Sequence, residues 1–212
     1  ILGTSVTDYA TALEMSDWTG ATGRNISGTS DLAPLDEQEN MLAELFPDAK
    51  NVAILYCSAE ANSKYQATEF EKYLDEDSIS YKEFTASDSN DIGSVVQSAI
   101  EYADVIYIPT DNTMAQNTEA INNIALPAGV PIIAGEEGIC AGCGVATLSI
   151  SYYDLGVTTG EMAVKILKDG EDISSMPVEY APKFTKEYNK DICDELGIEV
   201  PVDYVAIGEE NT

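Results

Sequence analysis

Short apolar runs alternate along the chain with segments that carry apolar residues at helical spacing. Residues 52–56, 105–108 and 130–134 are apolar stretches with a β-branched bias. Such runs are expected of strands buried on both faces of a parallel sheet. Residues 80–84 read as a further strand, of alternating type. Between these runs, 35–46 carries Leu35, Met41, Leu42, Leu45 and Phe46 on one face and is stopped by Pro47. A helix over 62–74 turns Tyr65, Phe70, Tyr73 and Leu74 inward, one over 92–102 follows the capping run Ser87-Asp-Ser-Asn90, and one over 113–124 comes next. After a glycine-rich loop the pattern predicts a strand over 144–150 and a helix over 157–167, closed by Lys165, Lys168 and Gly170. Residues 174–180 read as a connection into a strand, 188–196 as a last helix ended by Gly197, and the polar tail from Gly208 to Thr212 as frayed. Strand and helix alternate with short connections, so the fold class is α/β, with a parallel sheet covered by helices on both faces.

Two strand ends are chemically distinctive. The 52–56 run leads into Cys57-Ser-Ala-Glu-Ala-Asn-Ser63, and the 105–108 run into Pro109-Thr-Asp-Asn-Thr113. Both put hydroxyls, amides and carboxylates at the carboxyl ends of strands, where open α/β sheets bind ligands. Together they look like half of a small-molecule site.

Composition narrows the function. The 212 residues, 44% hydrophobic, suffice for one large domain or two smaller lobes. Acidic residues outnumber basic ones 38 to 10, a net charge of −28, which repels nucleic acid and anionic lipid. Histidine is absent, which removes Ser-His-Asp and Cys-His catalysis and His-ligated metals. No apolar run approaches the roughly 20 residues that span a bilayer. Of the four cysteines, Cys57, Cys140, Cys143 and Cys193, the pair Cys140-Ala-Gly-Cys143 has redox or zinc spacing. Zinc would want two further ligands. A redox pair would sit at a helix N-terminus, whereas this one reads as part of a loop over 138–144. The pair is expected to be incidental thiols or a local disulfide, and no enzyme, metal or cofactor is expected. The chain opens on Ile1-Leu-Gly-Thr-Ser-Val-Thr-Asp8, already a strand and its polar end, so its start reads as cut from a larger fold.

An ordered set of segments resembles the substrate-binding proteins of bacterial ABC importers, in the tryptophan or aromatic amino-acid-binding family. The segments are Leu2-Gly-Thr-Ser-Val-Thr-Asp8, Ser27-Gly-Thr-Ser-Asp-Leu-Ala33, 54–63, Tyr107-Ile-Pro-Thr-Asp-Asn-Thr113, Ala134-Gly135, Tyr152-Tyr-Asp-Leu-Gly156, 162–167 and Met176-Pro-Val-Glu-Tyr180. Glu136 and Glu137, the cysteine-rich loop and Tyr9 depart from the family pattern. The resemblance implies a periplasmic-binding-protein-like fold: two doubly wound parallel-sheet lobes, three crossovers and a ligand cleft between the lobes. Residues 1–32 and 150–176 would be the remainder of an incomplete first lobe, and 33–149 with 177–212 the second. It further implies an extracytoplasmic protein, lipid-anchored at full length, that delivers a small molecule to an ABC permease. The ligand would be an amino acid, possibly aromatic. The alternative is the ligand-sensing domain of a transcription regulator or signalling receptor. A DNA-binding regulator would need a basic helix-turn-helix, which this sequence lacks.

Within that framework Ser58, Asn62 and Ser63 are expected at the start of a helix, where hydroxyls and free amides both cap the helix and cradle a carboxylate. Glu60, which would repel a carboxylate, is expected to face an ammonium. Asp111 is expected to hold an ammonium by a charge-assisted hydrogen bond, with Asn112 and Thr113 capping the helix without it. Asp8, with the hydroxyls of Ser5 and Thr7, could do the same from the first lobe. Glu136, ending the next strand, is a further candidate. The tyrosines and phenylalanines read as packing.

Overall fold

The computed structural model describes residues 1–208; the tail expected to fray lies, from 209 on, outside the described residues. The elements run β1 (Leu2–Gly3), α1 (Tyr9–Ala12), β2 (Ser27–Ser30), α2 (Leu35–Leu45), β3 (Asn51–Cys57), α3 (Ala61–Glu76) and β4 (Ser80–Ala86). Then come α4 (Ile92–Ile100), β5 (Val105–Ile108), α5 (Asn112–Ala115), α6 (Thr118–Ala128), β6 (Ile132–Ala134), α7 (Glu137–Cys143) and β7 (Ala146–Ile150). The chain ends with α8 (Tyr152–Val164), a π-helical turn (Lys165–Asp169), β8 (Glu179–Tyr180), β9 (Phe184–Tyr188), α9 (Lys190–Leu196) and β10 (Val205–Ala206).

These elements form two compact units. The first is Ile1–Ala33 with Ile150–Phe184, and the second is Pro34–Ser149 with the chain from Thr185 onward. The return to the second unit falls after Phe184, not at residue 177, because β8 pairs in parallel with β2 (Thr29 opposite Glu179, Ser30 opposite Tyr180). The Ser27 hydroxyl also donates to the Met176 and Pro177 carbonyls. The first unit is built on the three-stranded sheet β1-β2-β8.

The second unit holds a seven-stranded sheet in the order β10-β9-β7-β6-β5-β3-β4. The pairs β3–β4, β3–β5, β5–β6 and β6–β7 are all parallel. Six of the seven β3 residues are buried, which is why its sequence is a continuous apolar run. On one face Ala53, Leu55, Ile106, Ile108 and Ile132 pack with Val96 of α4, Ile121 of α6 and Ile139 of α7. On the other, Tyr107 stacks on Phe70 of α3 at 3.7 Å between ring centroids, and its hydroxyl donates to Gln38 of α2 at 2.6 Å. This is the doubly wound arrangement.

Several expected elements differ in detail. The helix expected over 113–124 is two helices, α5 and α6. Asn117 leaves helical geometry at φ −128°, ψ 21°, and its side-chain amide donates back to the Thr113 carbonyl at 2.7 Å. The glycine-rich loop around the Cys140–Cys143 pair is helix α7. Gly142 permits it: a Cβ there would lie 2.2 Å from the Thr118 hydroxyl oxygen, so only glycine lets α7 approach α6 this closely. Residues 184–188 form strand β9, so the last helix, expected from Tyr188, begins at Lys190, with Asn189 capping α9. The helix expected over 157–167 begins earlier, at Tyr152, where the Ser151 hydroxyl caps it.

Candidate functional site

In the second unit the carboxyl ends of β3, β5 and β6 are drawn together around the Thr110 peptide. The Thr110 carbonyl accepts from Asn62 Nδ2 at 3.2 Å, Ser63 Oγ at 3.4 Å and Gln66 Nε2 at 3.0 Å. Gln66 returns the contact, its Oε1 accepting the Thr110 amide at 3.1 Å. The Thr110 hydroxyl and Gln38 Nε2 both donate to the Gly135 carbonyl, at 3.2 and 3.3 Å. Gly135 is obligatory here, since a Cβ would come within 2.5 Å of the Thr110 amide nitrogen.

Two carboxylates lock the β3 and β5 loops to each other. Glu60 is the N-cap residue of α3, yet its side chain serves α5 instead. Oε2 accepts the Asn112 amide and side chain at 3.0 and 2.9 Å, and Oε1 the Thr113 amide and hydroxyl at 2.8 and 2.7 Å. Four donors fill the roughly four lone-pair sites of a carboxylate. Burial pushes the Glu60 carboxyl up, but the bonds from Thr113 and Asn112 outweigh it and leave the group below its ordinary value. Asp111 is only 1% exposed, with Oδ2 accepting the Cys57 amide at 2.7 Å and Oδ1 the Met114 amide at 2.8 Å. Burial first, and the Glu60 charge last, raise its carboxyl, against the opposing pull of the Cys57, Met114 and Ser63 donors. Asp111 is therefore the cap of α5, the role the sequence assigned to Asn112 and Thr113.

The same bonds leave α3 uncapped. Its first turn carries no side-chain cap, because Glu60 is turned to α5 and the Ser58 hydroxyl donates to the Ala86 carbonyl at 3.2 Å. The amides of Ala61, Asn62 and Ser63 thus begin a 16-residue helix, with its positive pole at the carboxyl edge of the sheet. Glu136 sits apart in chemistry: its carboxylate caps its own helix, accepting the Gly138 amide at 2.7 Å and the Ile139 amide.

In the first unit Ser5, Thr7 and Asp8 share the turn from β1 to α1. Ser5 has φ +54°, a left-handed conformation unusual for a residue with a Cβ, and its amide donates to the Thr29 hydroxyl at 3.3 Å. The Thr7 carbonyl accepts from the Ser30 hydroxyl at 2.8 Å. Asp8 Oδ2 accepts the Thr11 amide at 2.6 Å as the cap of α1.

All four cysteines are buried free thiols, so the Cys140–Cys143 pair forms no disulfide. Burial, then the Glu136 charge, pushes Cys143 up to about 12. Burial likewise raises Cys140, with Cys143 next in effect. Among the described residues no group of His, Cys, Asp and Glu is placed to hold a metal, and no helix is long and apolar enough to cross a membrane.

Sequence reasoning missed Gln66 and Gln38, each 1% exposed, which hold the Thr110 and Gly135 peptides. For Gln66 a signal existed: it lies beside Ala67 and one turn before Phe70 on the inward face of α3, where an uncompensated amide is costly.

Comparison with known proteins agrees with this architecture. The model of the family described as ABC transporter substrate binding protein matches residues 1–209. The chain is 32% identical over 156 residues to a tyrosine-binding protein of Clostridioides difficile (strain R20291), covering 74% of this chain and 45% of that protein. It therefore spans less than half the length of this curated relative. A Streptococcus pneumoniae ABC domain solved in complex with L-Trp superposes with a TM-score of 0.85 at 30% identity, covering 94% of this chain and 69% of that one. The ligand-free, open structure of a C. difficile substrate-binding protein with adhesive properties gives 0.75 at 34% identity, covering 96% and 70%. The chain belongs to the ABC transporter substrate binding protein family, whose members bind solutes and are not enzymes.

Proposed function

We propose that this chain is the extracytoplasmic solute-binding component of an ABC importer and that its ligand is an aromatic amino acid. The observation that carries the reading is the uncapped first turn of α3 at the carboxyl edge of the seven-stranded sheet. Its amides suit a carboxylate without a lysine or arginine, because the aligned peptide dipoles supply the positive pole. Exposed Ser58 and half-buried Asn62 flank that turn, their donors engaged by the Ala86 and Thr110 carbonyls. The similarity to a tyrosine-binding protein and to an L-Trp-bound domain supports an aromatic ligand.

Glu60 and Asp111 take a supporting role in this reading. Their oxygens hold loops, so neither is the ammonium partner. Asp8, in the first unit, caps α1 through Oδ2. Asn112 and Thr113 position Glu60, and Glu136 orders α7. Delivery to a permease and lipid anchoring of the full-length protein go with the importer assignment.

Calorimetric titration of the chain with free amino acids, and with galactose as a non-amino-acid control, tests the reading. Binding of L-tyrosine, L-tryptophan or L-phenylalanine in preference to L-alanine is expected. Binding of galactose alone, or of no amino acid, would overturn it.

A further inference from the structure

An open cavity of about 480 Å³ lies in the second unit, at the carboxyl ends of β3 and β4 and against the turn from α5 to α6. Buried Cys57 and exposed Ala59, on either side of Ser58, line it from the β3 loop. The Ser58 amide and hydroxyl both donate to the Ala86 carbonyl, at 2.9 and 3.2 Å, and the Cys57 thiol donates to the Ser87 carbonyl at 3.8 Å. These bonds hold the β4 loop, which supplies Ser87, Asp88 and Ser89, beside the β3 loop as one wall. Thr113, Gln116 and Asn117 make another. That second wall is tied to α3, because the Thr113 amide and hydroxyl donate to Glu60, the N-cap residue of α3. Glu60 alone separates Ala59, on the cavity, from Ala61, the first residue of the uncapped turn. Two peptide steps keep their Cα atoms within about 7 Å. The cavity and the α3 amides are therefore neighbours on the same edge of the sheet.

Most polar groups of the lining are already engaged. The Ser87 hydroxyl donates to Asp91, the Asn117 side-chain amide to the Thr113 carbonyl, and the Thr113 hydroxyl to Glu60. Asp88 Oδ1 accepts the Asn90 amide and side chain at 2.8 and 3.0 Å. The Gln116 side-chain amide and the Ser89 hydroxyl, both exposed, bond to nothing among the described residues and keep their capacity for solvent or a ligand. Gln116 is also well placed: it is the C-cap of α5, and its backbone amide donates to the Asn112 carbonyl at 3.2 Å. A carboxamide carries donors and an acceptor, the complement of a hydroxyl, which offers both. A bare phenyl ring would cover these groups without replacing their bonds to water, whereas a phenol replaces them.

We infer that this cavity receives the ligand's side chain and that Gln116 sets specificity by hydrogen-bonding a hydroxyl at the far end of that side chain, so that a phenol is preferred to a plain phenyl ring. The inference rests on the proposed function and deepens it: the α3 amides read the carboxylate that all amino acids share, and the cavity reads the side chain. Its volume lies within the range of small-molecule sites. Because Gln116 is exposed, the preference is that of one hydrogen bond, about tenfold, not the larger ratio of a fully buried pair.

The test is calorimetric titration of the full chain with L-tyrosine, L-phenylalanine and L-tryptophan, for the parent, Gln116→Leu and Gln116→Met. The parent should bind L-tyrosine about tenfold more tightly than L-phenylalanine. Each variant should narrow that ratio to less than about threefold, through loss of L-tyrosine affinity. Thermal melts check folding; if Gln116→Leu unfolds, Gln116→Met, which keeps the side-chain length without the amide, decides. A parent that binds L-phenylalanine as tightly as L-tyrosine, or L-tryptophan alone, overturns this inference and leaves the proposed function standing. A folded variant that keeps the parent's ratio does the same. A folded parent that binds none of the three overturns the proposed function, and this inference with it.

Discussion

The Asp111 carboxylate ties the end of β3 to the start of α5, one oxygen accepting the Cys57 amide at 2.7 Å and the other the Met114 amide at 2.8 Å. Removing it strands a buried amide and uncaps a helix in one step. Asp111→Ala should therefore cost about 2–4 kcal/mol of stability, the sum of a lost cap and an unpaired buried donor. Asp111→Asn keeps one acceptor but turns an amide N–H toward another donor, so it should lie between the parent and the alanine variant. Urea denaturation measures both; an alanine variant as stable as the parent would contradict the bridge.

Glu60 gives a pH signature. Its carboxyl lies below the ordinary 4.5 in the folded chain, held there by Asn112 and Thr113. The unfolded chain takes up that proton first as pH falls. The stabilisation from Glu60 is thus fully present above about pH 4.5 and is lost as pH drops through the lower folded value. Glu60→Gln should melt below the parent at pH 7, and the gap should close on acidification below pH 4. A gap that stays constant from pH 7 to pH 3 would show that the charge contributes nothing.

Glu39 of α2 behaves in the opposite sense. It is 4% exposed, and burial, then the neighbouring Asp77 charge and hydrogen bond, push its carboxyl up to about 7. The unfolded chain ionises Glu39 near 4.5 and the folded chain only near 7, so stability falls as pH rises between those values and levels off above. Glu39→Gln keeps a donor for Asp77 without the charge. It should be more stable than the parent at pH 8 by about 1–2 kcal/mol, a figure kept small because exposed Asp77 lets water screen the pair. The advantage should vanish at pH 4; a variant less stable than the parent at pH 8 would contradict the assignment.

Much of the second unit was readable from apolar periodicity alone. The strands β3 and β5 announce themselves because burial on both faces demands unbroken apolar runs. The helix α7 did not, because Gly138 and Gly142 look like loop residues; tertiary contact with Thr118, not propensity, makes Gly142 helical. The break between α5 and α6 turns on one side-chain bond, from Asn117 to the Thr113 carbonyl, which no periodicity contains. Two-residue strands such as β8 carry too few positions for any pattern, so the return to the second unit was placed too early. At the candidate site, strand-end polar residues were identifiable by type, but not which of them bond one another. For Glu60 and Asp111 the sequence does not reveal which backbone amides their oxygens accept.

The buried thiols should be inert in the folded chain. Burial raises Cys140, pushes Cys143 up to about 12 and Cys193 to about 11, so little thiolate exists near neutrality. A thiol-titrating disulfide reagent at pH 7.5 should modify Cys140, Cys143 and Cys193 only after denaturant is added. Rapid modification of Cys140 or Cys143 in the native chain would point to an accessible redox pair.

The central claim is that α3 receives a ligand carboxylate on its uncapped first-turn amides. The most direct measurement is amide-resolved NMR of the isotopically labelled chain titrated with L-tyrosine and, separately, with tyramine, which keeps the ring and ammonium but lacks the carboxylate. L-Tyrosine should shift the Ala61, Asn62 and Ser63 amides saturably, and tyramine should bind at least about tenfold more weakly and leave those amides in place. L-Tyrosine binding that leaves these three amides unmoved, or tyramine binding equally well, would contradict it.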